Sequence, residues 1–389
     1  MTDAAVAHTT LADPALAGRA LGEQLARAFP HEPPQAVIVF ASSRYADYPA
    51  LLRALRAACQ PDVLVGCSSA GEFTADALAE GAACALALRS PDMQFTAALG
   101  RGLRGDRLAA ARELVGQLRG LRTHRYLYRS ALVLTDALAG YAEDFVEHLT
   151  VLTGGTYQLF GGGAGDDAQF QRTHVFYGTE AVPDAAVALE ILSNKPLGIG
   201  VGHGWRPASP PLRVTEALGM ELRSLNAIPA AEVFADHATK VGMPFDPGDP
   251  LPFFLHNVLG VAAGDRYKLR APLGVLPNGA VACAAEVPQG ATAHIMSTSP
   301  QATADAATRA AQVALAQLRG ARPKLTLLFD CVATRLRLGQ AFTDELRAAQ
   351  EAVGSGLLVG FNTYGQIARA SQQFNGFHTC TAVVCAFPD

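Results

Sequence analysis

One pattern is written three times along the chain: a short apolar run, an amphipathic stretch, a second apolar run, and a glycine loop ending beside an acid or amide. In the first copy Ala36 to Phe40 precedes a stripe of Leu51, Leu52, Leu55 and Cys59, and Val63 to Val65 runs into Gly66-Cys67-Ser68-Ser69-Ala70-Gly71-Glu72. The second sets Ala131 to Thr135 and Phe145, Val146, Leu149 and Leu152 before Tyr157 to Phe160 and Gly161-Gly162-Gly163-Ala164-Gly165-Asp166-Asp167. The third has Leu325 to Phe329, then Phe342, Leu346, Ala349 and Val353, then Leu357 to Val359 and Gly360-Phe361-Asn362-Thr363-Tyr364-Gly365-Gln366. Short apolar runs around a helical stripe read as strand, helix, strand. Copies about 100 to 190 residues apart point to domain duplication, because solenoid repeats recur every 20 to 50 residues or so. The expected class is α/β (mixed α+β): duplicated strand-helix-strand-hairpin units forming two mixed sheets flanked by helices, in a sandwich-like body.

Outside the copies, Asp13, Pro14, Leu21, Leu25 and Phe29 predict a helix that covers one side, within residues 1–33. Between copies two and three, Gly198 to Gly204 leads into Trp205-Arg206-Pro207, and Leu222 to Phe234 suggests a helix interrupted at Pro229. Leu251 to Leu255, Tyr267 to Ala271 and Val281 to Val287 read as strands, with Pro277-Asn278-Gly279 as a hairpin turn. Thr303 to Leu318 reads as a helix and Cys380 to Phe387 as the last strand. A length of 389 residues fits two domains, placed at 34–224 and 225–389.

Composition removes several function classes. A net charge of -4 without Lys/Arg blocks gives no footprint for nucleic acid or an anionic membrane. No apolar run is long enough to span a bilayer, and the start MTDAAVAHTTLADP lacks the basic and apolar regions of a signal peptide, so a cytoplasmic protein without membrane insertion is expected. Seven cysteines without a C-x-x-C speak against a disulfide scaffold or zinc site, and His203, His237, His256, His294 and His378 show no ligand spacing. No metal or cofactor is expected.

Glycine loops at strand ends can present backbone N–H groups to a carboxylate or phosphate. Neither Gly161 to Gly165 nor Gly198 to Gly204 completes a phosphate fingerprint. The plain alternative is tight turns and close packing. Recurrence of the loop beyond three strand ends, where α/β proteins bind ligands, favours a site. Two cysteines compete as nucleophiles: Cys67, beside Ser68 and Ser69 in a loop that is not G-x-S-x-G, and Cys331, after Asp330, with His203 and Arg335 as partners from elsewhere in the chain.

Taken in order, Val65 to Glu72, Phe160 to Asp167, His203-Gly204-Trp205 with Val214-Thr215, Asn226 to Phe234, Phe329-Asp330-Cys331 with Arg335 and Leu338-Gly339, and Gly360 to Gly365 resemble the FIST family of paired N- and C-terminal sensory domains of bacterial signalling proteins. The resemblance implies a signal-transduction module that binds a small ligand, an amino acid or related carboxylate, and passes its output to a separate protein such as a kinase or cyclase. The candidate ligand-binding residues, from the loops and the resembling stretches together, are Gly66, Cys67, Ser68, Ser69, Gly71, Glu72, Gly161, Gly162, Gly163, Asp166, Asp167, His203, Trp205, Asp330, Cys331, Arg335, Asn362, Thr363, Gly365 and Gln366, the last standing where the family usually has Glu. Backbone nests or Arg335 would meet a carboxylate, and Glu72, Asp166 or Asp330 an ammonium. It implies no catalysis. A cysteine- or serine-dependent small-molecule hydrolase or transferase, built on Cys67 or Cys331, and a ligand-independent docking scaffold are the alternatives.

Overall fold

The computed structural model describes the chain apart from residues 76, 77, 80, 355 and 371–374 and the side chain of residue 79. Local chemistry sets the helix starts. Asp13, Asp47 and Ser299 each precede a first turn that carries proline, and their side chains accept from Leu16 N at 2.8 Å, Ala50 N at 2.9 Å and Ala302 N at 3.2 Å. These bonds satisfy donors that a helix start leaves unpaired, and proline has no such donor to lose.

Three units follow one plan. Unit one is β1 (Asp3–Thr9), α1 (Pro14–Ala28), β2 (Ala36–Ser42), α2 (Tyr48–Cys59), β3 (Val63–Ser69), β4 (Glu72–Thr74), β5 (Leu78–Ala79) and β6 (Ala83–Arg89). Unit two is β7 (Met93–Arg101), α3 (Arg107–Gly116), β8 (Tyr128–Thr135), α4 (Ala142–Leu152), β9 (Gln158–Gly163), β10 (Val175–Tyr177), β11 (Glu180–Val182) and β12 (Ala185–Ser193). Unit three opens with β13 (Gly198–Gly202) and is then interrupted. The insertion holds β14 (Arg206–Pro207), β15 (Leu212–Leu218), β16 (Glu221–Leu225), β17 (Ile228–Pro229), α5 (Ala230–Val241), α6 (Leu251–Phe254), β18 (Val258–Ala263), β19 (Arg266–Arg270), β20 (Pro272–Val275), β21 (Val281–Cys283) and β22 (Thr292–Ser297). Unit three resumes with α7 (Pro300–Gln317), β23 (Pro323–Cys331), α8 (Val332–Leu338), α9 (Phe342–Val353), β24 (Leu357–Thr363), β25 (Gln366–Arg369), β26 (Gly376–His378) and β27 (Ala382–Pro388).

The units exchange strands in a cycle. Each supplies a parallel pair (β2 with β3, β8 with β9, β23 with β24) and flanks it with its own last strand (β6, β12, β27) and first strand (β1, β7, β13). The remaining flank is filled from another unit: β10 of unit two pairs with β3, β25 of unit three with β9, and β4 of unit one with β24. Each glycine loop is the point where the chain leaves its own sheet for a neighbour's. The inner faces of the three sheets share one core, with Phe40 stacked on Phe361 at 4.4 Å and Phe329 and Phe160 packed beside them. The outer faces are covered by α1 with α2, α3 with α4, and α7 with α9.

The mixed α/β class stands, with helices outside the sheets. Among the described residues four sheets form rather than two, because each copy builds its own and the insertion adds a nine-stranded one. Residues 1–33 hold an edge strand ahead of the helix. Leu222 and Leu225 lie in strand β16, with Pro229 just before α5, and Leu251 to Phe254 form a short helix started at Pro250. Cys380 falls before β27, not within it.

Gly198, Gly200, Gly202 and Gly204 owe their run to packing. A Cβ on them would stand 1.8, 1.8, 2.5 and 2.3 Å from the carbonyl oxygens of Ala314, Ala310, Ala306 and Ala302 of α7. Two strand residues rise about 6.6 Å and four helical residues about 6 Å, so a glycine at every second position meets an alanine at every fourth. Gly200→Ala has to push the helix away, and denaturant unfolding should show a loss of about 3 kcal/mol. Gly116→Ala, at the end of α3 with nothing within 4 Å of the new Cβ, should change stability by less than about 1 kcal/mol. Equal effects would remove the packing argument.

Candidate functional site

The three glycine loops meet at one end of the body and bond to one another through backbone groups. Gly165 N donates to Ser68 O at 2.9 Å and Asp167 N to Ser69 O at 3.1 Å, joining loop two to loop one. Ala70 N donates to Asn362 O at 3.0 Å and Asn362 N to Gly71 O at 2.8 Å, joining one to three. Gly163 N donates to Gly365 O at 2.8 Å and Tyr364 N to Gly163 O at 3.0 Å, which closes the ring. Gly71, Gly161 and Gly365 have φ values of 128°, 138° and 112°, and a Cβ on Gly162 would stand 2.7 Å from Gly365 O. Only glycine takes these conformations without strain, at the turns of Gly71 and Gly365 and within β9 at Gly161.

Inside the ring Glu72, Asp166, Asp167 and Gln366 serve the loops themselves, while the buried Asn362 amide has no hydrogen-bond partner among the described residues. Ser69 Oγ donates to Glu72 Oε1, and the same three-residue step recurs between Thr363 and Gln366. With its amide oriented to pair both ends, Gln366 donates to Thr381 O at 3.0 Å and His378 O at 3.2 Å and accepts from Thr363 Oγ1 at 2.6 Å. Asp166 accepts from the backbone of Phe170, Gln171 and Arg172 at 2.8, 2.6 and 2.8 Å and from the Tyr364 hydroxyl. Asp167 ties down Ser42 and Ser43, and Ser68 Oγ accepts from His174 N at 3.0 Å. The Arg335 guanidinium donates to the Ala70 carbonyl over Gly71. Cys67, Ser68, Ser69, Glu72, Asp330, Asn362, Thr363 and Gln366 are fully buried. The carboxylates offered to an ammonium are thus turned inward.

The open space lies beside the ring, at the seam with the insertion. A cavity of about 210 Å³ is lined by Ala137, Leu138 and Gly140 after β8, by Cys331, Val332, Ala333 and Leu336, by Tyr364, Gly365, Thr379 and Cys380, and by Phe254, Leu255, Val258, Ala271, Pro272, Cys283 and Ala284 of the insertion. Of the residues singled out from sequence, Cys331 and Gly365 reach it. Trp205 stands behind it, donating through Nε1 to Cys380 O at 3.2 Å, and His203 Nε2 meets Tyr267 O at 3.2 Å, its imidazole held below the usual range by burial. Thr379 stitches the seam: its hydroxyl accepts from Ala271 N at 3.0 Å and donates to Leu269 O at 3.0 Å. Cys380, with φ of 53°, and the insertion residues were missed from sequence, since no local signal marks a seam that only tertiary contact creates.

The thiols differ. Burial pushes Cys59 up to about 11, Cys283 up to about 12, and Cys67, Cys84 and Cys385 well above the usual range. Cys331 is instead lowered to about 7, first by a hydrogen bond from the Cys380 thiol and then by the Cys380 and Ala333 backbone N–H groups, against burial and the neighbouring Asp330. Among the described residues no His/Cys/Asp/Glu group has metal-site geometry.

Glu72 is pushed up to about 8 by burial, opposed by the Ser69 hydrogen bond. The unfolded chain releases this proton near the model-peptide value of about 4.3 while the folded chain keeps it, so stability falls as pH rises from there to about 8. Urea unfolding from pH 5 to pH 8 should show the excess stability of wild type over Glu72→Gln shrinking with pH, by at most about 1.4 kcal/mol per unit. A difference that grows with pH would contradict a neutral buried carboxyl.

Among solved structures the chain is similar to a chorismatase, at 11% identity and a TM-score of 0.40, covering 100% of this chain and 99% of that one. It is also similar to a cyanuric acid hydrolase from A. caulinodans, at 10% identity and a TM-score of 0.33, covering 99% of each. No curated protein sequence matches. The FIST N domain model matches residues 35–228 and the FIST C domain model residues 230–369. Two consecutive matches that take in all three glycine loops and the insertion leave one reading, that the chain belongs to the FIST family of sensory domains.

Proposed function

We propose that this chain senses a small, mainly apolar molecule that seats in the cavity between the loop ring and the insertion. The carrying observation is the cavity's chemistry: among the described residues its lining holds no charged side chain, and its polar groups are the Thr379 hydroxyl, the Tyr364 phenol, thiols and backbone. An apolar cavity of about 150 Å³ takes up benzene, so 210 Å³ suits a small ring or a branched aliphatic group. An amino acid or related carboxylate fits with its apolar side chain inside and its charged groups at the mouth, which favours leucine, methionine or phenylalanine over aspartate or arginine. A ligand here bridges two bodies that meet through Thr379 and through Lys268 and Arg270 on Glu143. Filling the cavity stiffens that seam, and a separate kinase or cyclase in the cytoplasm would read the change. No described helix is long and apolar enough to cross a membrane.

The chain binds without turnover in this reading. A cysteine-dependent hydrolase or transferase is the second reading, and it falls to Cys331, which faces the cavity, rather than to Cys67, sealed in the core.

Thermal or denaturant unfolding with each amino acid and with uncharged apolar molecules such as indole tests the proposal. A true ligand at 100 times its dissociation constant adds about 2.7 kcal/mol. Ala284→Phe, which fills the cavity, should abolish the gain. Equal stabilisation by charged amino acids, untouched by Ala284→Phe, would sink it.

A further inference from the structure

Two of the cysteines that line the cavity, Cys331 and Cys380, pack in one buried cluster. Cys331 is the last residue of β23, Cys380 sits on the bend before β27 in a left-handed conformation, and the antiparallel register of β23 with β27, which ends at Phe329 opposite Val383, brings that bend beside the end of β23. The Cys380 thiol and the Cys380 and Ala333 backbone N–H groups favour the charged form of the Cys331 thiol and hold it below its usual range. Such a cradle stabilises a thiolate in an otherwise apolar space, and a thiolate is the reactive form of cysteine. Cys283 lines the same cavity without a comparable cradle. Each other cysteine lies buried away from it. From this geometry we infer that Cys331 and Cys380 form a reversible disulfide when a small apolar organic hydroperoxide enters the cavity.

The chemistry balances. The Cys331 thiolate attacks the terminal oxygen of the hydroperoxide; an S–O bond forms, the O–O bond breaks, and the alkoxide leaves with the Cys380 thiol proton as an alcohol. The Cys380 thiolate then attacks the Cys331 sulfenic sulfur, forming the S–S bond and releasing hydroxide, which becomes water. Two thiols are oxidised and one hydroperoxide is reduced. An external thiol reverses the change by exchange. The two sulfurs, which share one buried cluster, have to close to about 2.05 Å. Because Cys380 follows Thr379 and its carbonyl receives the Trp205 indole, the new bond acts on the seam with the insertion. The inference rests on the cavity admitting small apolar molecules, as proposed above, but needs no amino-acid ligand.

The test treats reduced full-length protein with tert-butyl hydroperoxide at pH 7.5 and maps peptides by mass. The expected product joins the peptides carrying Cys331 and Cys380 with loss of two hydrogens, leaves Cys283 as a thiol, and disappears on adding glutathione. Cys380→Ser should stop at a sulfenic acid trapped by dimedone on Cys331, and Ala284→Phe should slow the reaction about tenfold, the equivalent of about 1.4 kcal/mol of binding. No Cys331–Cys380 link in wild type overturns the inference, whatever the variants do, and so does a rate that Ala284→Phe leaves unchanged. The two proposals fail separately. A missing link beside intact leucine or indole binding defeats the disulfide alone; a link without any ligand-induced stabilisation defeats the ligand reading alone.

Discussion

Everything in this molecule depends on the backbone hydrogen bonds that join its three glycine loops. Each unit lends a strand to another unit's sheet, so each of the three unit sheets is complete only once a glycine loop has crossed to it. Crossing at one point demands three segments of the chain within hydrogen-bond distance, and side chains would keep them apart; hence glycine with φ of 128° and 112° at Gly71 and Gly365, and at Gly165, where a Cβ would stand 2.7 Å from Ala70 N. The ring leaves its backbone donors and acceptors paired, which a buried junction requires. A body built this way resists the loss of any single loop poorly, since the strands on both sides of it lose partners together.

The units are alike in plan and unlike in what they leave open. At the end of β2, next to loop two, lies a polar cleft of about 400 Å³ with Ser43, Tyr48, Asp166 and His174. At the end of β23, next to loop one, the Arg335 guanidinium lies over Gly71. Between the ends of β8 and β23, next to loop three, the insertion covers the junction, and there the space is apolar. The insertion between β13 and α7 therefore converts one of three similar junctions into a cavity.

Much of this was legible in the chain. The three copies, their strand-helix-strand order and the loop boundaries follow from apolar periodicity, which reports on burial and is local. Asp13 and Pro14 mark their helix start for a similarly local reason. Local pattern failed where partners are remote: Leu222 and Leu225 fit a helix as well as a strand until β15 and β21 pair with them, and Cys380 looks like part of a strand until its positive φ is seen.

Sequence alone determined the kinds of residue available at the loops, glycines for close approach and an acid or amide to follow, and the absence of charge patterns for nucleic acid. It did not determine what those groups do. Whether Glu72 faces a ligand or Ser69 depends on which way a loop crosses, and that is decided by which sheet receives the next strand. Tertiary structure turned Glu72, Asp166 and Gln366 into internal braces and drew Cys331 and Cys380, 49 positions apart in the sequence, to the wall of one cavity. Hydrogen bonds and burial act over a few ångströms of space, and only the folded chain states which residues share it.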